Sequence, residues 1–558
     1  MNRLTKLIEK IITGIEETPT GFLPWIVSFL CVIAARVLIE SWINRFQNHS
    51  GLFIFYEFTH NLLFFSIAYL LFLILLKKTT GISFSRISNV LLWGYLIILT
   101  PPISDYIISG GKGFWSFYAF DGVFGLVKRF FTFFGDKPEI GITYGVRIEV
   151  AFAVILLFIY SFIKLNLKSA SINLIKSAGI ALAAYLIFFV LGAFPSYITI
   201  AIDGFAKGFL KVNSVDVAQM FLSPALIFSR EIPDIVSSLN IKMSLIYSPV
   251  FSLIIILGLF VYYKEKFIAF LKNMRPPQVV YHFGLATVGV ILGTIPGDFS
   301  QRDFWQYVNF FNIISFILLL EAVLLSWLAS VVVNDLYDRK IDAKSNVSRP
   351  LIKNLFSENE YKILGIILFS FSLLFAAIVN FKIMLILAAY QAIAWIYSAW
   401  PFRLKRFAFI STLTSAIASI LIVFSGYILS SPQQNIGGFS AGIIILLIFG
   451  FTFSLPIKDF KDIEGDRENN ARTIPVVFGE YWGKIIVGSG IFVSFLLSVI
   501  VFNEPRLFRW AIIFGGLSFW LTVKMRIEGK INYQNIFWWI IGTVSIYGII
   551  LVKIIFLK

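Results

Sequence analysis

Long apolar runs separated by short polar segments repeat along the whole chain. Residues 243–263 and 363–381 carry no charge at all, and a run of about 20 apolar residues is the length of a helix across a bilayer core. Six such runs are predicted first, at 22–44, 52–76, 89–109, 145–164, 175–198 and 243–263. Nine more follow, at 279–296, 310–336, 360–379, 382–400, 408–429, 438–457, 483–503, 508–525 and 534–556. A basic loop before Pro276 and Pro277 is the natural boundary between the two groups. The expected fold class is therefore an all-α polytopic membrane protein, with a six-span module at 1–275 and a nine-span bundle at 276–558. No repeat relates the two halves.

Composition supports this reading. The chain is 58% hydrophobic and only 14% charged, against roughly 25% charged in soluble domains. Trp25, Trp42, Trp400 and Trp510 stand near the ends of runs, where an interfacial aromatic belt belongs. The first 20 residues alternate Arg3, Lys6 and Lys10 with Glu9, Glu16 and Glu17. They form an amphipathic surface segment without the apolar stretch and cleavage site of a signal peptide, so the first span is expected to act as the targeting signal. The single cysteine, Cys31, excludes an intramolecular disulfide, and the scattered His49, His60 and His282 exclude a Cys/His zinc motif.

The net charge of +16 lies mostly in alternate loops. Lys77, Lys78 and Arg86 fall in one such loop, Lys164, Lys168 and Lys176 in the next, and Lys264, Lys266, Lys272 and Arg275 in a third. The pattern continues through 339–353, 403–406, 458–472 and 524–530. Loop 430–440 has no Lys or Arg, and the cations of 110–145 and 199–241 lie in stretches too long to set topology. One orientation satisfies nearly every loop: the N-terminus and the basic loops in the cytoplasm, residue 558 outside. No groove-reading motif accompanies the charge, so a nucleic-acid partner is not expected.

The chemistry is concentrated in two acidic segments on the basic side. Residues 334–342 read NDLYDRKID and follow an apolar run without a break. A continuing helix would place Asn334, Asp338 and Asp342 on one face, with Asp335 beside them. Residues 458–466 read KDFKDIEGD, with Asp459, Asp462 and Asp466 at i, i+3 and i+7, again one face. Like charges stacked on a helical face repel, and at a helix C-terminus they also oppose the macrodipole. Two such stripes at a membrane boundary call for a cation. Oxygen-only ligands select a hard ion, and Mg²⁺ with phosphate oxygens fits best. The spacing is not that of an EF-hand. Cations that would neutralise the remaining phosphate oxygens stand nearby. They are Arg349 in SRPL, Lys405 and Arg406 in the segment 397–406 (YSAWPFRLKR), and Lys458 and Arg472 around the second stripe. Tyr397 adds a phenol.

These segments resemble the UbiA superfamily of intramembrane prenyltransferases. The first matches its N-D-x-x-D-x-x-x-D followed by R-P-L, the second its D-x-x-D-x-x-x-D, and 397–406 its Y-S-x-x-P-x-R-x-K-R loop. The likeness covers about 275–558, and the nine spans there equal the family's number. It implies an all-α bundle with a central cavity open sideways to lipid. It also implies an alkyl-transferring enzyme in which Mg²⁺ bridges the Asp motifs to an isoprenyl diphosphate. Carried over residue by residue, Asn334, Asp335, Asp338, Asp342, Asp459, Asp462 and Asp466 would hold metal. Asp335, Asp338, Asp459 and Asp462 would be the catalytic core. Arg349, Tyr397, Lys405, Arg406, Lys458 and Arg472 would bind substrate. One departure is the sequence Ile352-Lys353-Asn354 where the family often has glycine.

The acceptor stays open among quinone rings, tetrapyrroles and glycerol-phosphate lipids. Two other readings stand beside prenyl transfer. One is phosphoribosyl transfer to polyprenyl phosphate on the same scaffold. The other is a transporter, which intramembrane polar residues such as Glu321 would suit; against it, the strongest polar cluster lies at the membrane boundary rather than the midplane. The half 1–275 lies outside the resemblance. Its glycine cluster 109–113 (SGGKG) lacks the rest of a P-loop and reads as a turn, and Asp105 and Asp203 read as interfacial. No chemistry is assigned there; a lipid-handling module or a scaffold is expected.

Overall fold

The computed structural model describes residues 3–43, 51–111, 117, 122–135, 142–165, 169–294, 307–461, 463–468, 472–526, 532 and 535–556. Fourteen helices in it are long and apolar enough to cross a membrane. They occupy fourteen of the fifteen expected positions. The fifteenth is Pro276–Thr294, a helix of 19 residues whose first turns carry Gln278 and His282. The protein is an integral, multi-pass membrane protein. Its only sheet among the described residues is a two-stranded hairpin, Ala225–Ile227 with Arg230–Ile232.

The chain divides into two compact units. The first comprises 1–226 and 231–259, the second 227–230 and 260–558. The spans of the first are Phe22–Ile43, Gly51–Thr80, Phe84–Ile108, Tyr144–Leu165, Ala170–Gly192 and Ile235–Tyr262, the last running on past residue 259. Phe84–Ile108 is not one α-helix. It tightens to a 3₁₀ stretch at Tyr95–Leu99 before Pro101 and Pro102, which have no N–H to continue the ladder. The amphipathic helix Arg3–Glu16 is pinned by its last residue: Glu16 accepts from Lys164 Nζ at 2.8 Å and from the Tyr160 hydroxyl at 3.0 Å.

In the second unit the pair Pro276–Thr294 and Ile410–Ser430 packs backbone to backbone. A Cβ at Gly289 would lie 2.0 Å from the Val423 carbonyl oxygen, and one at Gly426 would lie 2.0 Å from that of Ala286. Small residues permit this approach in lipid, where packing rather than hydrophobicity holds helices together. A buried bridge also ties Phe381–Ser398 to Phe310–Tyr337, because the Gln391 amide donates to the Ser326 carbonyl and hydroxyl.

Two expectations of unbroken helices are corrected. The helix carrying the first acidic segment ends at Tyr337; Asp338 is its boundary residue, and a separate helix, Arg339–Ser345, begins after it. The bend falls within the column of Asn334, Asp338 and Asp342 that a straight helix would stack. The second acidic segment leaves Ala441–Ser454 as a 3₁₀ stretch, Leu455–Lys461, followed by the short helix Ile463–Glu468. Pro456 removes one N–H and clashes with the preceding turn, so the α-helix cannot carry on to Asp459.

Candidate active site

The first acidic segment is built where the helix Phe310–Tyr337 runs out. Asp335, 1% exposed, is the most enclosed of its acids. Its carboxylate accepts from Asn273 Nδ2 at 2.6 Å and from the Tyr361 hydroxyl at 3.0 Å. It also pairs with Arg275 at 3.3 Å and, more closely, with Arg349. A buried carboxylate is tolerable only with such a set of donors.

Asp338 faces a different pair of cations. Arg403 lies 2.9 Å from one of its oxygens and Lys405 2.5 Å from the other. Lys405 also donates to Asn334 Oδ1 at 3.0 Å. Burial pulls the Lys405 ammonium below the ordinary lysine range, against the pull of Asp338. Asp342 lies past the bend and is 3% exposed. One of its oxygens accepts from Asn346 at 3.1 Å; the other lies 3.2 Å from Arg349 Nε in an ion pair without hydrogen-bond geometry. Burial pushes its carboxyl up to about 6, and the Asp338 charge adds to this while Asn346, Arg275 and Lys405 oppose it.

The segment 397–406 touches both acidic stretches. Lys405 holds the first. At the other end Lys458 Nζ sits 5.8 Å from the centre of the Tyr397 ring, and the Arg472 N–H donates to the Arg406 carbonyl at 2.8 Å. The Arg406 guanidinium stacks on Trp400, 5.3 Å from its ring centre. The Arg472 side chain is exposed. Asp466 accepts from the Thr473 hydroxyl at 3.2 Å, and Asp459 is half-buried on the 3₁₀ stretch. Asp462 lies outside the described residues.

Oxygen donors in this number suit Mg²⁺. Among the described residues no three acids converge as ready metal ligands, since Asp335 and Asp338 are each turned onto cations. Two buried atoms mark what is missing: Asp342 Oδ2 and Arg403 Nε make no hydrogen bond. The first, paired with Arg349 but not hydrogen-bonded, can take a metal ion, and the second can take an acceptor oxygen. A metal–diphosphate pair supplies both together, so the residues fit it.

The model of the UbiA prenyltransferase family matches residues 304–542. The C-terminal half belongs to this family. Relatives include the digeranylgeranylglyceryl phosphate synthase of Methanothermobacter thermautotrophicus, 26% identical over 30% of this chain and 58% of its own length. The enzyme of the same name from Sulfolobus acidocaldarius is 28% identical over 42% of this chain and 80% of its own. The chain thus spans little more than half of the first of these relatives. A solved UbiA homologue from Archaeoglobus fulgidus, bound to DMAPP and Mg²⁺, is 20% identical and covers 51% of this chain and 99% of its own, with a TM-score of 0.39.

The UbiA motifs led to Asn334, Asp335, Asp338, Asp342 and Lys405, which the fold does bring together. They did not lead to Asn273, Arg275, Tyr361 or Arg403. Arg403 stood in plain view as the first Arg of the 397–406 pattern. The other three carry no spacing signal, since they meet Asp335 only through the packing of separate elements. Arg349, expected on the diphosphate, is instead engaged by Asp335 and Asp342.

Proposed function

We propose that the UbiA domain is a Mg²⁺-dependent prenyltransferase that moves an isoprenyl group from its diphosphate to the hydroxyl of a glycerol-phosphate lipid. The observation that carries this reading is that two buried atoms of the acidic cluster and its cations, Asp342 Oδ2 and Arg403 Nε, make no hydrogen bond. The names of the relatives favour the lipid acceptor over a quinone ring.

Asn334, Asp335, Asp338 and Asp342 would hold metal from one side, and Asp459, Asp462 and Asp466 from the other. Bound Mg²⁺ supplies charge neutralisation for the diphosphate leaving group. Asn273, Arg275 and Tyr361 position the Asp335 carboxylate. Arg403 and Lys405, which neutralise Asp338 in the ligand-free chain, would turn to the phosphate oxygens, joined by Arg406, Lys458 and Arg472. Tyr397 would line the same pocket. Their fixed charge favours departure of the diphosphate. The allylic carbon–oxygen bond breaks with its electron pair on the departing diphosphate, the acceptor oxygen bonds to that carbon, and the acceptor's proton passes to the released diphosphate. By the placement of basic loops, this site and the N-terminus face the cytoplasm.

The test is turnover of purified full-length protein in nanodiscs with radiolabelled geranylgeranyl diphosphate, with Mg²⁺ or with EDTA. The acceptors would be a glyceryl phosphate lipid carrying one geranylgeranyl chain, a quinone precursor and a tetrapyrrole. Mg²⁺-dependent label in the glyceryl lipid is expected. Label in another acceptor would replace the substrate. Transfer only from phosphoribosyl diphosphate to polyprenyl phosphate would replace the reaction.

A further inference from the structure

The first unit contains a cavity of 130 Å³ that no part of the transferase reading uses. Glu40, Glu57, Asp105 and Glu149 line it, and among the described residues Arg36 is the one lysine or arginine that does. These acids lie on four different spans, and all occupy the same end of the unit. Glu40 is in the last turn of Phe22–Ile43 and Asp105 in the last turn of Phe84–Ile108. Glu57 and Glu149 are in the second turns of Gly51–Thr80 and Tyr144–Leu165. Because successive spans alternate in direction, this is the end away from the loops that carry Lys77, Lys78, Arg86, Lys164 and Lys176.

The partners of these acids are uneven. Arg36 pairs with Glu149 at 3.3 Å, approaches Glu40 at 3.7 Å and donates to the Ile98 carbonyl at 2.6 Å. Asp105 accepts the Gly145 N–H at 2.7 Å. Glu57, only 7% exposed, has a carboxylate oxygen with no hydrogen-bond partner. Burying a carboxylate oxygen without a hydrogen bond is costly, and among the described lining residues four acids face one arginine.

We propose that this cavity binds a small organic ammonium ion, with Glu57 as its principal counter-charge. Three observations select that chemistry. The acids outnumber Arg36 among the described lining residues, which favours a positively charged ligand. Among the described residues no three acids or histidines converge as metal ligands. The remaining wall includes the aromatic faces of Phe64, Phe65 and Tyr247, and such faces attract ammonium groups; the Arg36 guanidinium already lies 5.0 Å from the centre of the Phe65 ring. The volume is close to the roughly 150 Å³ of a cavity that admits benzene, which suits choline or ethanolammonium. The same group reaches this depth either as a free amine or as the head of a phospholipid.

The experiment uses full-length protein in phosphatidylglycerol nanodiscs, titrated calorimetrically with choline or ethanolammonium chloride against a sodium chloride blank. Saturable binding of one of them is expected, weakened at least about tenfold in Glu57→Gln by loss of a charge-assisted contact. Glu40→Gln serves as a second variant should Glu57→Gln fail to fold. Binding in phosphatidylglycerol discs that persists in phosphatidylcholine and phosphatidylethanolamine discs identifies a free amine as the ligand. Binding that those lipids abolish, together with a raised melting temperature, identifies the headgroup. No saturable binding with equal melting temperatures in all three lipids would overturn the proposal. So would undiminished binding in the folded variants, or binding of Na⁺ or Mg²⁺ alone. None of these readouts involves prenyl transfer, so failure here is separate from failure of the transferase reading.

Discussion

In the second unit Asp335 meets Arg275 and Arg349, and Asp338 meets Arg403 and Lys405; in the first, Glu40, Glu57, Asp105 and Glu149 share Arg36. The difference follows from where the acids sit. Those of the UbiA domain emerge at span ends, within reach of loops already rich in Lys and Arg. The same loops that set topology then serve as counter-ions. The acids of the first unit lie at the span ends away from Lys77, Lys78, Arg86, Lys164 and Lys176, and among the described residues lining their cavity the one lysine or arginine, Arg36, is carried on a helix. One cluster is therefore poised to exchange internal cations for a metal and an anion, and the other to take up a cation.

The largest effect that sharpens this contrast is Asp338→Ala. It removes a carboxylate from the centre of the UbiA site, and turnover should fall about 100- to 1,000-fold, the usual loss for a principal electrostatic group. Asp462→Ala should do the same. Insertion, checked by size-exclusion chromatography in detergent, should be unchanged. Wild-type turnover in either variant would refute the metal assignment.

Arg349→Ala comes next. It leaves Asp335 with Arg275, Asn273 and Tyr361 but takes the ion-pair partner that Asp342 has among the described residues. Breaking a buried pair outright costs about 3–5 kcal/mol; with half of the partners retained, about 2 kcal/mol is expected in thermal unfolding of the metal-free protein. Added Mg²⁺ should recover part of it. An unchanged melting temperature would mean that Arg349 is not a counter-ion, and would return it to the diphosphate.

How far these features were legible depends on whether chemistry is local in the chain. Asn334, Asp335 and Asp338 lie within five residues, so their conjunction is visible in the sequence itself. The span positions were visible too, because apolar length alone fixes them. The helix breaks at Asp338 and Pro456 were not read. At Asp338 nothing in the sequence breaks helical spacing, and the Arg403 and Lys405 that pair with it lie 65 and 67 residues further along the chain. Pro456 did carry a signal, which the regular spacing of Asp459, Asp462 and Asp466 masked. The cavity of the first unit was illegible for another reason. Each span contributes one or two polar residues, and no window of sequence contains the cluster. Asp105 taken alone read as interfacial, yet it is buried.

Two smaller substitutions should move stability in opposite directions. Tyr361→Phe deletes one hydrogen bond to Asp335 and should cost about 1 kcal/mol, with little change in turnover. Glu57→Gln neutralises a buried carboxylate with one oxygen that makes no hydrogen bond, and should raise the stability of the ligand-free protein by about 1 kcal/mol. Both are read as shifts in thermal unfolding. A destabilised Glu57→Gln would mean that its carboxylate is already satisfied, and the contrast between the two clusters would fail.

The last effect is a pH dependence. Asp342 sits beyond the spans among Arg349, Asn346, Asp338, Arg275 and Lys405, and its carboxyl is raised from 3.8 to about 6, chiefly by burial. The folded state thus binds this proton more tightly than the unfolded chain. The resulting stabilisation is fully present below about pH 4 and is lost as pH rises through about 6. In metal-free protein, the melting-temperature difference between wild type and Asp342→Asn should change in favour of the variant across that window. Mg²⁺ reverses the preference, because it needs the ionised carboxylate. Stabilisation by Mg²⁺ should therefore grow as pH passes through about 6 in the wild type, and grow less in Asp342→Asn. Equal growth in both proteins would remove Asp342 from the metal site while leaving Asp335 and Asp338 in it.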